Sequence, residues 1–489
     1  MTRLIFTPRA ALCALCLVLA ARLASMALLP LTDPTEGRYA QVAQEMVATG
    51  DWVTPRVWMN ESHIPFLGKP PLYFWAAAGA MRLFGESEFA ARLPSALAAV
   101  AVLGLLYAVM GRYGGGSGAG LLSVMVSASC GFFVAIGGSV AVDMLFSACA
   151  AGSLLAYFAF ISESERRIRR RWSLLVFVLL ALGFMTKGPV AIALFGLPVL
   201  IWTIRWRGWA LLRDHRWVAG TALFLALVVP WFAVCELRNP GFLKYFFVNE
   251  NLLRFVTHDY GDAYGNGHVY PRGSALLMFL AAAAPWSLVG LWRAARGGSE
   301  VRTFGMRDRQ AGFLFLGFAA GTVFWCLARQ LLFTYLLPMV PLFAAWLVWV
   351  TRDGEIRKRM LAAATSLVAA LAVVSLGVVP FLRNTDTTRE IVAAARRFDD
   401  GKDARLPLVF ERKTPYSALF YARGWAMPHP KESLQDSLRR CVGKGRPALV
   451  VIASVRKKEL KNFDPGVWRE LAVAGGWILG RVAVPETGP

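Results

Sequence analysis

Long apolar runs recur from near residue 10 to residue 382, and a chain built this way has few folds open to it. A run of about 20 residues crosses the hydrocarbon core of a bilayer as a helix. Lipid offers no partner for an open peptide group, so each crossing must satisfy its backbone internally. A β-barrel would show alternating segments of about 10 residues, whereas the runs here are continuous. Their spacing predicts an all-α polytopic membrane protein with helices near 10–30, 88–110, 117–136, 140–161, 172–186, 188–205, 217–236, 273–294, 309–328, 331–350 and 359–382. The first run is long for a signal-peptide core and lacks a clear cleavage site, so a retained anchor is expected.

The formal net charge of +22 raises the question of nucleic acid, and the distribution of the arginines answers it. They sit in short connections and alternate along the chain. If the N-terminus is cytoplasmic, the inner loops carry Arg166, Arg167, Arg169, Arg170 and Arg171, then Arg205, Arg207, Arg213 and Arg216. Further inner loops carry Arg293, Arg296, Arg302, Arg307 and Arg309, then Arg352, Arg357, Lys358 and Arg359. The short outer loops hold only Lys187 and Arg329. That asymmetry is a topology signal; no nucleic-acid partner is expected. Residues 31–87, 237–272 and the tail from 383 then face outward. Most cysteines lie in apolar segments, and no disulfide framework or metal-type spacing emerges.

The composition changes at about 383, dividing the chain into a transmembrane part, 1–382, and a small extracytoplasmic α/β domain, 383–489. The tail reads as helix 388–398, strand 407–410, helices 416–422 and 432–441, strand 448–453, two further helices and strand 477–482. It contains no GxGxxG or P-loop.

Loop 31–87 carries the most chemistry. DPTEGRY, 33–39, precedes a stretch in which Tyr39, Val42, Ala43, Met46 and Val47 recur at helical spacing, and Gly50 offers a stop. An amphipathic surface helix is expected, with Arg38, Gln41, Gln44 and Glu45 toward water or a cavity. Asp33 has two readings. As N-cap, with Pro34 first in the helix and Glu36 three residues on, it starts a helix; as a carboxylate at an outer cavity it is a catalytic candidate. The readings conflict, because a helix N-terminus favours the charged carboxylate and weakens it as a base. In GKPPLYFW, 68–75, two prolines fix the backbone after Lys69. A cation held at the bilayer edge suits a lipid-borne phosphate, though a lysine snorkelling beside Tyr73, Phe74 and Trp75 would look the same.

Together these stretches resemble the GT-C membrane glycosyltransferases, in particular the bacterial aminoarabinose transferases acting on lipid A and, more distantly, the protein mannosyltransferases. DPTEGRYAQVAQEMVATGDWVTPRV followed by GKPPLYFW is similar in order and spacing to that family's first loop. SVAVDMLF with Asp143, GFMTKGP with Lys187, KYFFVNENLLRF with Arg254 and FTYLLPMVPLFAAW with Tyr335 extend the match over about 10–350. Relatives often have Asp where this chain has Thr35, Glu where it has Gly68 and His where it has Asn251; the last two departures weaken the case for a bound metal.

The resemblance implies an inverting enzyme that moves a sugar, with 4-amino-4-deoxy-L-arabinose the leading candidate, from a polyprenyl phosphate to an outer lipid or protein acceptor such as lipid A. Asp33, Glu36 and Asp143 would be the catalytic acids, and Lys69, Arg254 and Lys187 the donor-phosphate contacts. Arg38, Tyr39 and Tyr335 would line the cavity. No cofactor is implied, the lipid-linked sugar being a substrate, and the cell's inner membrane is the expected location. Fixed cations would stabilise charge growing on the departing phosphate, and a carboxylate would accept or orient the nucleophile's proton. A dipole-stabilised Asp33 would suit an acceptor that is already anionic. A transporter or flippase of lipid-linked glycans would share the helical body and buried charges, but no related halves are visible.

Overall fold

The protein is described by a computed structural model covering residues 7–483 apart from 60–61, 259, 262, 265–267, 297–307, 378–385, 400–405, 412, 428–446, 456 and 458–467. The expected helix at 432–441 lies outside the described residues. Contacts divide the chain into two units: Met1–Met26, Leu67–Tyr73 and Arg92–Pro380 in one, and Ala27–Phe66, Phe74–Ala91 and Phe381–Pro489 in the other. The linear boundary drawn at 382/383 therefore does not follow the contacts, which group most of the first loop with the tail.

The first unit is helical. Seven described helices are long and apolar enough to cross a membrane: Pro8–Leu28, Glu88–Tyr113, Val142–Ser162, Trp217–Arg238, Arg309–Leu327, Phe333–Val350 and Gly354–Gly377. Counting two bent pairs as single spans raises the number to nine. Arg166–Lys187 and Val190–Trp206 fill the other two expected segments. The helix expected at 117–136 is broken into Ser117–Ala128 and Gly131–Gly137, bent by 78°, and that at 273–294 into Ser274–Ala282 and Trp286–Arg293, bent by 109°. Pro285 explains the second break, since it donates no N–H and disfavours helical geometry in the residue before it. At the first, the Ser129 hydroxyl donates back to the Val126 carbonyl. Trp286 Nε1 donates to that same hydroxyl at 2.7 Å, tying the two breaks together.

In hydrocarbon, helices associate by close packing rather than by the hydrophobic effect, so small residues mark their crossings. Gly220 is such a place: a Cβ there would lie 2.0 Å from the Phe177 ring. At the end of the Val142–Ser162 helix, Glu163 accepts from Arg112 Nη2 at 2.7 Å and from the Tyr113 hydroxyl at 2.7 Å.

In the second unit, the helix Thr35–Thr49 stops at Gly50, whose N–H reaches the Met46 carbonyl. Its apolar face is buried as the periodicity predicts, but so are Gln41 and Gln44, expected toward water or a cavity. Gln44 Nε2 donates to Glu86 at 2.7 Å. A hairpin of β1, Arg56–Met59, and β2, Ser62–Pro65, follows. Its Trp58 and His63 rings stack, and both side chains hold Glu45, with nitrogen–oxygen distances of 3.0 Å. The tail sheet comprises β3, Leu408–Phe410; β4, Pro447–Ala453; β5, Trp468–Ala474; and β6, Trp477–Ala483, in the order β3-β4-β6-β5. β3 runs parallel to β4; β4 and β5 are antiparallel to β6. Ile391 and Val392 from the helix Arg389–Phe398 join Leu408, Leu449 and Leu479 in one core.

Between β4 and β6, where two helices are expected, the described residues 468–474 form a strand. The reason is the turn behind it: Gly475 and Gly476 adopt φ of 57° and 81°, the paired left-handed geometry that closes a two-residue hairpin and matches the twist of its strands.

Substituting Gly220→Ala should force the Phe177 ring aside, at a cost of about 1–3 kcal/mol for overpacking. Thermal unfolding in detergent should show a lower midpoint; an unchanged midpoint would mean that the crossing tolerates a methyl.

Candidate functional site

Lys69 lies between Gly68 and Pro70, ahead of the helix Leu72–Phe84, and its ammonium points into the first unit. Nζ donates to the Gly68 carbonyl at 2.7 Å and to Glu250 Oε2 at 3.1 Å. The same carboxylate oxygen receives Arg254 Nη1 at 2.9 Å. Glu250 Oε1 accepts from the Tyr245 hydroxyl at 3.2 Å. Tyr245–Leu253 is a π-helix, a wide winding uncommon in proteins and frequent at functional sites. Glu250 at one turn and Arg254 four residues on form a neighbouring pair.

The Glu250 side chain is only 3% exposed. Burial alone would raise its carboxyl, but the charges of Lys69 and Arg254 outweigh that and hold it below its ordinary value. Burial also pulls Lys69 down, to about 8, with Glu250 opposing the shift and Arg254 and Lys187 adding to it. Glu250 is the residue that the sequence reading missed. Its signal was present: an acidic side chain within KYFFVNENLLRF, four residues before the chosen arginine. Asn251, a noted departure, donates to the Phe246 carbonyl at 2.7 Å. A Cβ at Gly68 would lie 3.4 Å from Glu250 Oε1, so the carboxylate beside Lys69 here comes from the segment 237–272.

Lys187 ends the helix Arg166–Lys187 and forms a buried ion pair with Asp143, in the first turn of Val142–Ser162. Its ammonium lies 3.9 Å from the centre of the Tyr335 ring, an attractive placement over a π-face. Lys69, Lys187, Glu250, Arg254 and Tyr335 all line one cavity of about 320 Å³, whose remaining wall is largely Phe246, Phe247, Phe255, Phe324 and Trp325. The cavity thus sets three cations beside five aromatic rings. Of the residues singled out by sequence, the structure brings together Lys69, Arg254, Lys187, Asp143 and Tyr335.

Asp33, Glu36, Arg38 and Tyr39 belong to the second unit. Asp33 is not an N-cap: the helix begins at Thr35, Pro34 is the capping residue, and no side-chain cap bond forms. Instead the Ser417 N–H donates to Asp33 Oδ1 at 2.9 Å and the Ser417 hydroxyl donates to Oδ2. Burial outweighs these bonds and raises the Asp33 carboxyl to about 6, opposite to the lowering expected from a helix terminus. Gly37 permits the contact, since a Cβ there would sit 2.7 Å from both Asp33 Oδ1 and the Ser417 nitrogen. Glu36 does act at the helix start, accepting from the Thr32 N–H and hydroxyl at 3.1 Å each. Arg38 lies over the Tyr39, Phe66 and Tyr416 rings. Tyr39 packs edge-on against Phe66 and Phe74, and neither Arg38 nor Tyr39 lines the cation cavity. Among the described residues no group of three His, Cys, Asp or Glu side chains is placed to hold a metal ion.

Comparison with known proteins gives the arrangement a context. The family described as dolichyl-phosphate-mannose-protein mannosyltransferase matches residues 68–233. An undecaprenyl phosphate-α-4-amino-4-deoxy-L-arabinose arabinosyl transferase of Pseudomonas aeruginosa is 29% identical over 320 residues, which is 63% of this chain and 54% of that protein. A relative of the same name from Pseudomonas fluorescens is 30% identical over 329 residues, 64% of this chain and 52% of its own. The chain thus spans about half the length of these curated relatives. Among solved structures, ArnT from Cupriavidus metallidurans bound to undecaprenyl phosphate superposes with a TM-score of 0.75 at 20% identity, covering 98% of this chain and 99% of that one. Its apo form gives 0.74 at 19% identity. The chain has the fold of ArnT and is similar in sequence to bacterial undecaprenyl phosphate-α-4-amino-4-deoxy-L-arabinose arabinosyl transferases.

Proposed function

We propose that this protein is an inverting glycosyltransferase of the inner membrane, taking a sugar from a polyprenyl phosphate and delivering it to an acceptor on the outer face. The observation that carries the reading is the convergence of Lys69, Lys187 and Arg254 on one aromatic-walled cavity. Such a site suits a ligand with an anionic head and a hydrocarbon body. The arginine asymmetry supports a cytoplasmic N-terminus and an extracytoplasmic tail.

In this reading the phosphate competes with Glu250 for Lys69 and Arg254, and both cations stabilise the charge that grows on it as the glycosidic bond breaks. Lys187, neutralised by Asp143 and set over Tyr335, contributes position more than net charge. Asp33, raised to about 6, is a stronger base than a helix-capping carboxylate and suits proton removal from the nucleophile. A base of this strength does not require an acceptor that is already anionic. The choice of 4-amino-4-deoxy-L-arabinose as sugar and lipid A as acceptor rests on similarity to the arabinosyl transferases; a protein acceptor is the alternative that the mannosyltransferase match favours.

Detergent-solubilised protein given undecaprenyl-phosphate aminoarabinose and lipid A should release undecaprenyl phosphate. Turnover without two compartments is something a flippase cannot produce. Lys69→Ala should lower the rate by about 100-fold or more, the effect of removing one donor from a developing anion; full activity in that variant would remove Lys69 from the mechanism.

The rate should also follow a bell in pH. It rises as Asp33 ionises near pH 6 and falls as Lys69 loses its proton near pH 8. Ser417→Ala removes the hydroxyl bond that favours the ionised Asp33 and leaves the backbone one, so the acid limb should move to higher pH. Glu250→Gln removes the charge that favours the protonated Lys69, so the alkaline limb should move to lower pH. A profile flat from about pH 5 to about 9, a range that brackets both groups, would contradict both assignments.

A further inference from the structure

Two polar side chains on the wall of the cation cavity take no part in its ion pairs. Trp325, near the end of the helix Arg309–Leu327, and Gln330, in the connection that follows, both line it. Trp325 is 7% exposed and Gln330 3%. Yet neither Trp325 Nε1 nor Gln330 Oε1 has a hydrogen-bond partner among the described residues.

The other end of the Gln330 amide sets its orientation. Nε2 donates to the His258 carbonyl at 2.7 Å; turned over, the amide would press one carbonyl oxygen against another. The backbone on either side is held too, the Arg329 N–H on the Phe255 carbonyl and the Leu331 N–H on the His268 carbonyl, each at 2.9 Å. The Trp325 ring lies 4.6 Å from the Tyr335 ring, the same ring that takes the Lys187 ammonium at 3.9 Å. A neutral donor and a neutral acceptor thus stand unsatisfied on the wall of a cavity that also holds the cations. Buried polar groups are normally paired, and the ion pairs leave these two aside.

The chemistry of a lipid-linked sugar decides which part of it fits. Phosphate oxygens accept and cannot serve Gln330, and a hydrocarbon tail serves neither residue. An ammonium donates but cannot accept from Trp325. A hydroxyl does both. We propose that Trp325 and Gln330 bind the sugar of the donor lipid, the indole N–H donating to its ring hydroxyls and the amide oxygen accepting from them. This rests on the reading of the cavity as a polyprenyl-phosphate-sugar site, and it adds the residues that recognise the sugar rather than the phosphate.

The test compares the binding of undecaprenyl phosphate and of its aminoarabinose-bearing form to the full chain in detergent, with no acceptor present. Trp325→Phe keeps an aromatic ring and loses the N–H. Gln330→Leu loses the oxygen together with the His258 bond. Each variant should weaken the sugar-bearing lipid about five- to tenfold, the effect of one neutral hydrogen bond. Each should leave undecaprenyl phosphate unchanged, and that second affinity reads any damage to the cavity itself. A donor counterpart stripped of its ring hydroxyls should bind native and variant proteins alike. Weakening of both lipids equally, or of neither, would overturn the inference and leave the phosphate reading standing. Failure of the native protein to bind either lipid would overturn both.

Discussion

Three cationic side chains around one cavity of about 320 Å³ repel one another strongly in so apolar a setting, and their carboxylate partners are what make the arrangement stable. Glu250 serves two of the cations through a single oxygen, with Lys69 at 3.1 Å and Arg254 at 2.9 Å; Asp143 serves Lys187. Removing one member of a buried ion pair leaves an uncompensated charge, at a cost of about 3–5 kcal/mol. Among the described residues, two carboxylates against three cations leave the cluster with one surplus positive charge. A surplus of that sign in a desolvated pocket is an invitation to an anion. The π-helix matters for the same reason, because it carries Glu250 to the cavity in the segment that also supplies Arg254.

The Lys69–Glu250–Arg254 group also joins segments far apart in sequence. Lys69 arrives from the first loop and Glu250 with Arg254 from the segment 237–272, Glu250 lying 181 residues on. Tyr335 and Lys187 come from the ends of two further helices. The membrane helices fix those ends, and the short Leu67–Tyr73 stretch groups with them although the loop on either side does not.

Much of this was legible in the sequence because membrane helices are specified by composition alone. Each of the eleven apolar segments holds helix, and Lys69, Lys187, Arg254 and Tyr335 line one cavity. What the sequence hid was pairing. Asp33 looked like a helix cap because its neighbours Pro34 and Glu36 fit one; its real partner, Ser417, lies 384 residues away, and no local pattern encodes it. Glu250 was passed over because a carboxylate beside an arginine reads as an ordinary helix pair until Lys69 is brought to it. Gln41 and Gln44, expected toward water or a cavity, are buried by tertiary packing. The strand at 468–474 was readable in principle, since Gly475-Gly476 between two apolar stretches is a hairpin signal. The breaks at Ser129 and Pro285 were obscured by hydropathy, which measures how apolar a run is and not whether it bends.

The central claim is that the cation cluster recognises the phosphate of a polyprenyl lipid, and binding without turnover tests it most directly. Undecaprenyl phosphate and undecaprenol share a hydrocarbon tail and differ only in the head, so their affinities for the purified protein isolate that contribution. Charge-assisted hydrogen bonds to the phosphate predict that undecaprenyl phosphate binds at least about tenfold more tightly. Equal affinity for the alcohol would mean that the cluster is structural and that the lipid, if held, is held by its tail alone.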